Sequence, residues 1–251
     1  MPVKLLSMKK IRTNSLLLVC ILFFLFLASG VAQNSPNAPQ DMVLIKGGRV
    51  KIGAENGGEN EKPVFNTDLA PYYLDKKPVT VAQFRLFIKL NRYITDAEKK
   101  GESAVYDPSS GQWQMIKGAN WQYPLGPNHA PAQSNESVRQ ISWNDAKAYA
   151  NWIGKRLPNE FELEYAASYA ERFGITGVDG SMWQWCDNWY FRYDENSYYK
   201  KNRNNQEKSL KGGKYELDNN NTNIYRPSMR TSALPEATAV NVGFRCAKDI
   251  D

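Results

Sequence analysis

A single histidine, His129, stands in a chain of 251 residues. That count excludes an HxxxH pair, a two-histidine-one-carboxylate iron site and a histidine-rich zinc centre. His129 lies in Gly126-Pro127-Asn128-His129-Ala130-Pro131, a turn-forming stretch that predicts an exposed or hydrogen-bonded loop imidazole. Three carboxylates, Glu160, Glu162 and Glu164, alternate along a helical stretch. Alternate residues do not share a helical face, so no paired acid and base is expected. They read as one capping residue and solvated charges. No Gly-Lys-Ser/Thr phosphate loop, dinucleotide fingerprint or G-x-S-x-G elbow is present, and with them go the common nucleotide and hydrolase chemistries.

Of three cysteines, Cys20 sits within the apolar run Leu16 to Leu27, preceded by Leu18-Val19. A lipoprotein signal would place a small residue before its cysteine, so lipid attachment is not expected. Lys4, Lys9, Lys10 and Arg12 precede the run and Ala28-Ser29-Gly30-Val31-Ala32 follows it, the three-part form of a secretory signal. The run is shorter than the roughly 17 residues a spanning helix needs, which favours cleavage after Ala32 over a retained anchor. Residues 1–32 are thus read as a signal peptide, 33–40 (QNSPNAPQ) as a linker and 41–251 as one domain, with no transmembrane segment once the signal is removed. In an oxidising compartment Cys186 and Cys246 either pair or remain two separate buried thiols.

Composition agrees with a globular domain: 42% hydrophobic and 23% charged exclude a disordered tail, a collagen and a polytopic membrane protein. The chain carries 32 basic against 26 acidic residues, but four of the basic ones lie in the leader. The remaining 28 against 26 offers no concentrated basic face for nucleic acid. MVLI (42–45) and VKI (50–52) around Gly47-Gly48 predict a hairpin, and PYYLD (71–75) a third strand. Three helices announce themselves by a capping residue with a polar acceptor three positions on: Thr80 with Gln83, Ser142 with Asp145 stopping at Gly154, and Asn159 with Glu162 ending near Gly174. All seven tryptophans fall between Trp113 and Trp189, predicting a loop-rich core fixed by aromatic anchors.

Four stretches carry a more specific signal: KGANWQYPLGP (117–127), VRQISWNDAKAYANWIGKRLPNEFELEYAA (138–167), DGSMWQWCDNWY (179–190) and VGFRCA (242–247). With MVLIKGG, KIG (51–53), PYYLDKKPVTVAQFRLFI (71–88) and TDAEKKG (95–101), they resemble the formylglycine-generating enzyme, or sulfatase-modifying factor, family over nearly all of 41–248. The resemblance implies an α+β, C-type-lectin-like fold, loop-rich, with short sheets and about three helices. Family enzymes use copper and oxygen to oxidise a sulfatase cysteine to formylglycine, the copper held by two thiolates, soft ligands suited to Cu(I).

The same resemblance locates departures. Lys211-Gly212-Gly213 and Tyr215 match the start of the family's active-site segment, and Tyr225, Arg226 and Arg230 its end; between them Leu217 and Thr222 occupy the two cysteine positions. Neither side chain is a thiolate, so copper is not expected and no catalytic residue is assigned. The implied cleft residues are Trp183, Asn241, Lys214, Tyr225 and Arg230, with a core tryptophan and a loop-capping asparagine as the other reading of the first two. A family calcium site maps onto Gly177, Gly180, Met182 and Gln184. Carbonyls at 180 and 182 could serve it, but the charged ligands have become Gly177 and a neutral amide. Cys246 matches a family cysteine whose usual partner position is Ala150, which leaves Cys186 as its candidate disulfide partner. Between Ala167 and Arg172 several dozen family residues are missing, so the groove must be remodelled.

The expected protein is an exported, periplasmic, outer-membrane-associated or secreted binding or assembly module of the bacterial cell envelope, with a protein partner or surface ligand. Its contact surface would be rimmed by Tyr193, Tyr198, Tyr199, Lys200, Lys201, Arg203 and the Asn-rich 218–223 loop. The alternative is an oxidase of altered chemistry acting on a secreted peptide or sulfatase substrate.

Overall fold

A computed structural model describes residues 39–193, 206–213 and 225–250; the expected signal peptide, 1–32, lies outside the described residues. The helices begin where the capping signals place them. Thr80, Thr95, Ser142 and Asn159 each accept from the backbone three residues on, and Gln83, Glu98, Asp145 and Glu162 reach back to the cap N–H. This reciprocal device satisfies two orphan donors per helix. It opens α1 (Val81–Asn91), α2 (Asp96–Lys100), α3 (Trp143–Trp152) and α4 (Glu160–Ser168).

The third expected helix does not run through to Gly174. It breaks at Tyr169, which leaves helical geometry at φ −127°, and the one-turn α5 (Ala170–Phe173) follows before Gly174 terminates it at φ +64°. The short α2 was not anticipated, although its cap Thr95 and Glu98 have the same spacing as the others.

Eleven strands are present among the described residues. β1 (Met42–Ile45), β4 (Tyr72–Asp75) and β11 (Ala247–Asp249) form one antiparallel sheet with β4 central. β2 (Gly48–Ile52) pairs with β3 (Phe65–Leu69). The expected β1–β2 hairpin is therefore corrected: Gly47 and Gly48, at φ +64° and +103°, turn the chain out of one sheet into another. A Cβ on Gly47 would run into the Leu69 carbonyl, so only glycine makes this crossing. β5 (Glu102–Asp107) and β6 (Gln112–Lys117) make a second hairpin. The sheet β10-β7-β8-β9 has β7 (Ser181–Trp189) and β8 (Lys208–Gly213) at its centre, with β9 (Arg230–Ala233) and the short β10 (Val242–Gly243) at its edges.

The main core lies between this sheet and helices α1 and α3. Phe84, Phe87, Trp121, Tyr149, Trp183, Trp185 and Phe244 pack there, several as edge-to-face or tilted aromatic pairs. A second cluster joins Ile45, Tyr72 and Leu74 to Leu163 of α4; a third sets Val50 and Ile52 against Phe161 and Tyr193. The tryptophans divide: Trp121, Trp183 and Trp185 are core, whereas Trp113, Trp152 and Trp189 are exposed. The result is the expected α+β, loop-rich domain. Among the described residues no helix is long and apolar enough to cross a membrane.

Candidate functional site

The segment that would carry family chemistry leaves β8 after Gly213 and returns at Tyr225. Lys214, Leu217 and Thr222 lie outside the described residues, as do Tyr198 to Arg203 and the 218–223 loop; both flanks of the segment are described. On the outgoing side Lys211, almost wholly buried, bonds the Glu164 carboxylate and the Ser228 carbonyl. On the returning side Arg226 donates to Glu61 at 2.7 Å and the Ser228 hydroxyl donates to the same carboxylate at 2.6 Å. Burial alone would raise the Glu61 carboxyl, but these bonds and the Gly58 N–H hold it below its ordinary value.

Arg230, which the resemblance implies as a cleft residue, is fully buried. Its guanidinium forks onto Glu160 at 2.9 and 3.0 Å and also donates to the Asn60 and Phe191 carbonyls. The rings of Tyr190 and Tyr193 cover it at 4.2 and 3.9 Å. A planar ion can be paired in its plane and stacked on its faces at once, which suits arginine to this position and not lysine. Tyr193, expected on a cleft rim, is buried in the third cluster.

The three glutamates of α4 are not solvated, contrary to expectation: all are buried and each holds a different cation. Glu160 takes Arg230, Glu162 forks with Arg156 at 2.8 Å on both arms while capping Asn159, and Glu164 takes Lys211 and the Gly53 N–H. Different faces of one helix here mean different ion pairs. Alternation signalled a helix packed on several sides, against β2, β7 and β8.

Trp183 sits in β7 beside β10, its N–H donating to the Asn241 carbonyl at 2.8 Å. Its indole lies against Gly213, where any Cβ would collide with the ring. It is only 5% exposed and packs in the main core, which favours the core reading over the wall. Tyr225 packs against the same core, its hydroxyl buried without a hydrogen-bond partner among the described residues, and burial raises its phenol.

Gly180, Met182 and Gln184 lie at the start of β7. The Gln184 amide bridges inward: its NH2 donates to the Gly177 carbonyl at 2.6 Å and its oxygen accepts from Arg245 Nε at 2.7 Å. The wholly buried Arg245 also donates to the carbonyls of Thr176, Gly177, Asp75 and Lys76. Met182 is buried against Gly243. Among the described residues no three His, Cys, Asp or Glu side chains converge to hold a metal.

Cys186 and Cys246 are free, buried thiols in two different clusters, so of the two alternatives left open the separate thiols are found and not the bridge. Cys246 shares its cluster with Ala150, the position where the resemblance placed its missing partner. Burial pushes both thiols far up, which leaves them unreactive.

Comparison with known proteins agrees with this geometry. A family model described as the sulfatase-modifying factor enzyme 1-like domain matches residues 28–173 and 169–250. Its two matches meet at α5, where the resemblance placed the missing family residues. The formylglycine-generating enzyme of Streptomyces coelicolor is 28% identical over 86% of this chain and 91% of its own length. The inactive C-alpha-formylglycine-generating enzyme 2 of Bos taurus is 32% identical over 82% of this chain and 87% of its own. Among solved structures, PvdO from Pseudomonas aeruginosa superposes with a TM-score of 0.63 at 16% identity, over 83% of this chain and 94% of that one, a likeness of fold alone. The chain belongs to the formylglycine-generating enzyme, or sulfatase-modifying factor, family.

Proposed function

We propose that this chain is a non-catalytic member of its family, an exported module that binds or assembles in the cell envelope. The observation that carries the reading is the pair Leu217 and Thr222 at the two thiolate positions, inside a segment whose flanks remain tied down by Glu61, Glu160 and Glu164. The anchoring frame is kept and the reactive groups are gone. A hydrocarbon and a hydroxyl give Cu(I) no soft ligand, and the two remaining thiols are buried elsewhere, so copper does not fit. Calcium does not fit either: the one side-chain oxygen at the mapped site, on Gln184, already accepts from the Arg245 cation, and a fixed positive charge there opposes a second one. The relative named as an inactive family member supports the same reading. Export is supported by the basic residues, apolar run and small residues of 1–32, which have the form of a secretory signal.

The decisive assay is aerobic incubation of the purified protein, with and without Cu(I), with a Cys-X-Pro-X-Arg peptide. Mass spectrometry should find the cysteine unmodified; an aldehyde product would overturn the reading. Cross-linking in envelopes of the source organism should recover a stoichiometric partner of the tagged protein.

A further inference from the structure

The loop 124–139, with Val240, lines a cleft of about 540 Å³, within the range of small-ligand sites. Pro124, Leu125, Pro131, Ala132 and Val240 give it apolar walls, and Arg139 lines it as its cation. Arg139 is half-buried. Every other arginine placed that deeply here, Arg156, Arg226, Arg230 and Arg245, has a carboxylate or carbonyl partner, but Arg139 makes no hydrogen bond or ion pair among the described residues. Glu136, the one carboxylate of the wall, is turned onto its own loop and accepts the Gln133 N–H at 2.8 Å.

The setting of Arg139 is rigid. The next residue, Gln140, is buried in the left-handed region at φ +59°, a conformation costly for a side chain with a Cβ. It is held there by its own amide, which donates to the carbonyls of Ala104 and Pro124 and accepts from Ser103, and by its N–H, which donates to Ala239. The strained turn sends Val138 and Ile141 into the core and leaves Arg139 at the cleft. The carbonyls of Glu136 and Ser134 accept the N–H groups of Val81 and Ala82 at the start of α1, which ties this loop to the helix.

We propose that this cleft binds a ligand with an apolar body and a terminal carboxylate, the carboxylate forked onto Arg139. The proposal rests on the binding-module reading and gives it a ligand chemistry. The guanidinium fork matches a carboxylate in its plane. One unpaired cation beside Glu136 suits a single negative charge and not a phosphate dianion, and the apolar walls reward a hydrocarbon body. Two sources share this chemistry: the C-terminus of a polypeptide and a small organic acid.

The test is a backbone-amide NMR titration of the purified protein, followed at residues 130–140 and 239–240. The probes are acetyl-Gly-Val-Leu with a free carboxylate, the same peptide as its C-terminal amide, and 4-phenylbutyrate. A carboxylate probe should bind saturably, and the peptide acid, if it is the one that binds, about tenfold or more tighter than its amide, a difference of about 1.4 kcal/mol. Arg139→Gln should abolish the effect and Arg139→Lys should retain only part of it; with no bonds at Arg139 to break, both variants should fold. Binding of the peptide acid points to a polypeptide C-terminus and binding of phenylbutyrate alone to a small acid, and either supports the proposal. Equal binding of acid and amide, undiminished binding by Arg139→Gln, or no saturation by any probe below about 10 mM would overturn it. None of those failures yields an aldehyde, so the non-catalytic reading stands or falls separately.

Discussion

Removing one partner from a fully buried ion pair leaves the other charge with neither water nor counter-ion. Glu160→Ala would strand Arg230 in that way, and a loss of about 3–5 kcal/mol is expected in urea denaturation. The pair is 0% exposed on both sides, so added salt should weaken it little, unlike the exposed Lys62–Glu59 pair, which salt screens. Trp183→Ala removes an indole from a closed core and should cost about 3–5 kcal/mol as well; a stable Trp183→Ala protein would instead return that residue to the cleft wall. The thiols give a third expectation. Cys186 and Cys246 are shut inside separate clusters and burial disfavours their thiolates, so neither should react with a disulfide reagent at pH 8 until denaturant is added. Fast labelling of either in the native protein would contradict the burial. These side chains show where single-residue reading stops. The type of Arg230 was legible in the sequence, but its partner is 70 positions away, and spacing along one chain carries no information about such a pair.

At the scale of elements, α2 and α3 cap one another. Asp145 serves its own helix by accepting the Ser142 N–H and serves its neighbour by accepting the Asp96 N–H at 3.1 Å. Asp96 returns the bond, accepting from the Ser142 hydroxyl and the Asn144 amide. Two carboxylates are thus held at two helix N-termini, one of them buried. Burial pushes Asp145 up to about 6, against its hydrogen bond from Ser142 and with the Asp96 charge adding to the rise. Because the folded value lies above an unfolded aspartate's, about 3.9, folding takes up a proton between pH 4 and 6. The contribution of Asp145 to stability therefore declines as pH rises through that window. Asp145→Asn should remove this component of the slope in urea melts at pH 4.5, 5.5 and 6.5, and an unchanged slope would count against it. The same variant should lose about 1–3 kcal/mol at pH 7, because an amide cannot accept at both oxygens. Local signals of this kind explain which elements the sequence made legible. Caps at Thr80, Ser142 and Asn159 marked three helices, and Thr95 with Glu98 could have marked α2 had its five residues offered an apolar periodicity. The pairing of β1 with β4 and not with its neighbour β2 was not legible, since turn residues announce a change of direction but not the next partner.

For the whole molecule, the kept and the lost parts of the family site separate into frame and reactive groups. The frame is long-range: Glu61 from the 3-10 turn Glu59–Glu61 between β2 and β3, and Glu160 and Glu164 from α4, reach Arg226, Arg230 and Lys211 on either side of the 214–224 segment. The reactive groups were two side chains, and their replacement by Leu217 and Thr222 was readable from the sequence alone once its flanks were matched. If the frame holds the segment in the family's geometry, restoring the two thiols should restore the metal. The double variant Leu217→Cys, Thr222→Cys is therefore expected to bind one equivalent of Cu(I) in competition with a chromogenic chelator, while the original chain binds none. Cys186 and Cys246 cannot confuse the count, because both stay buried. Turnover should not return with the metal. The family residues absent around Ala167 to Arg172 would have formed part of the substrate groove, and two thiolates do not rebuild it. Copper binding without aldehyde formation would thus show two separate losses, of ligands and of groove. Failure to bind copper would show that the ion pairs hold the ends of the segment but do not set its course. Recovery of aldehyde formation would mean that the groove survives, and that Leu217 and Thr222 alone separate this chain from the enzymes of its family.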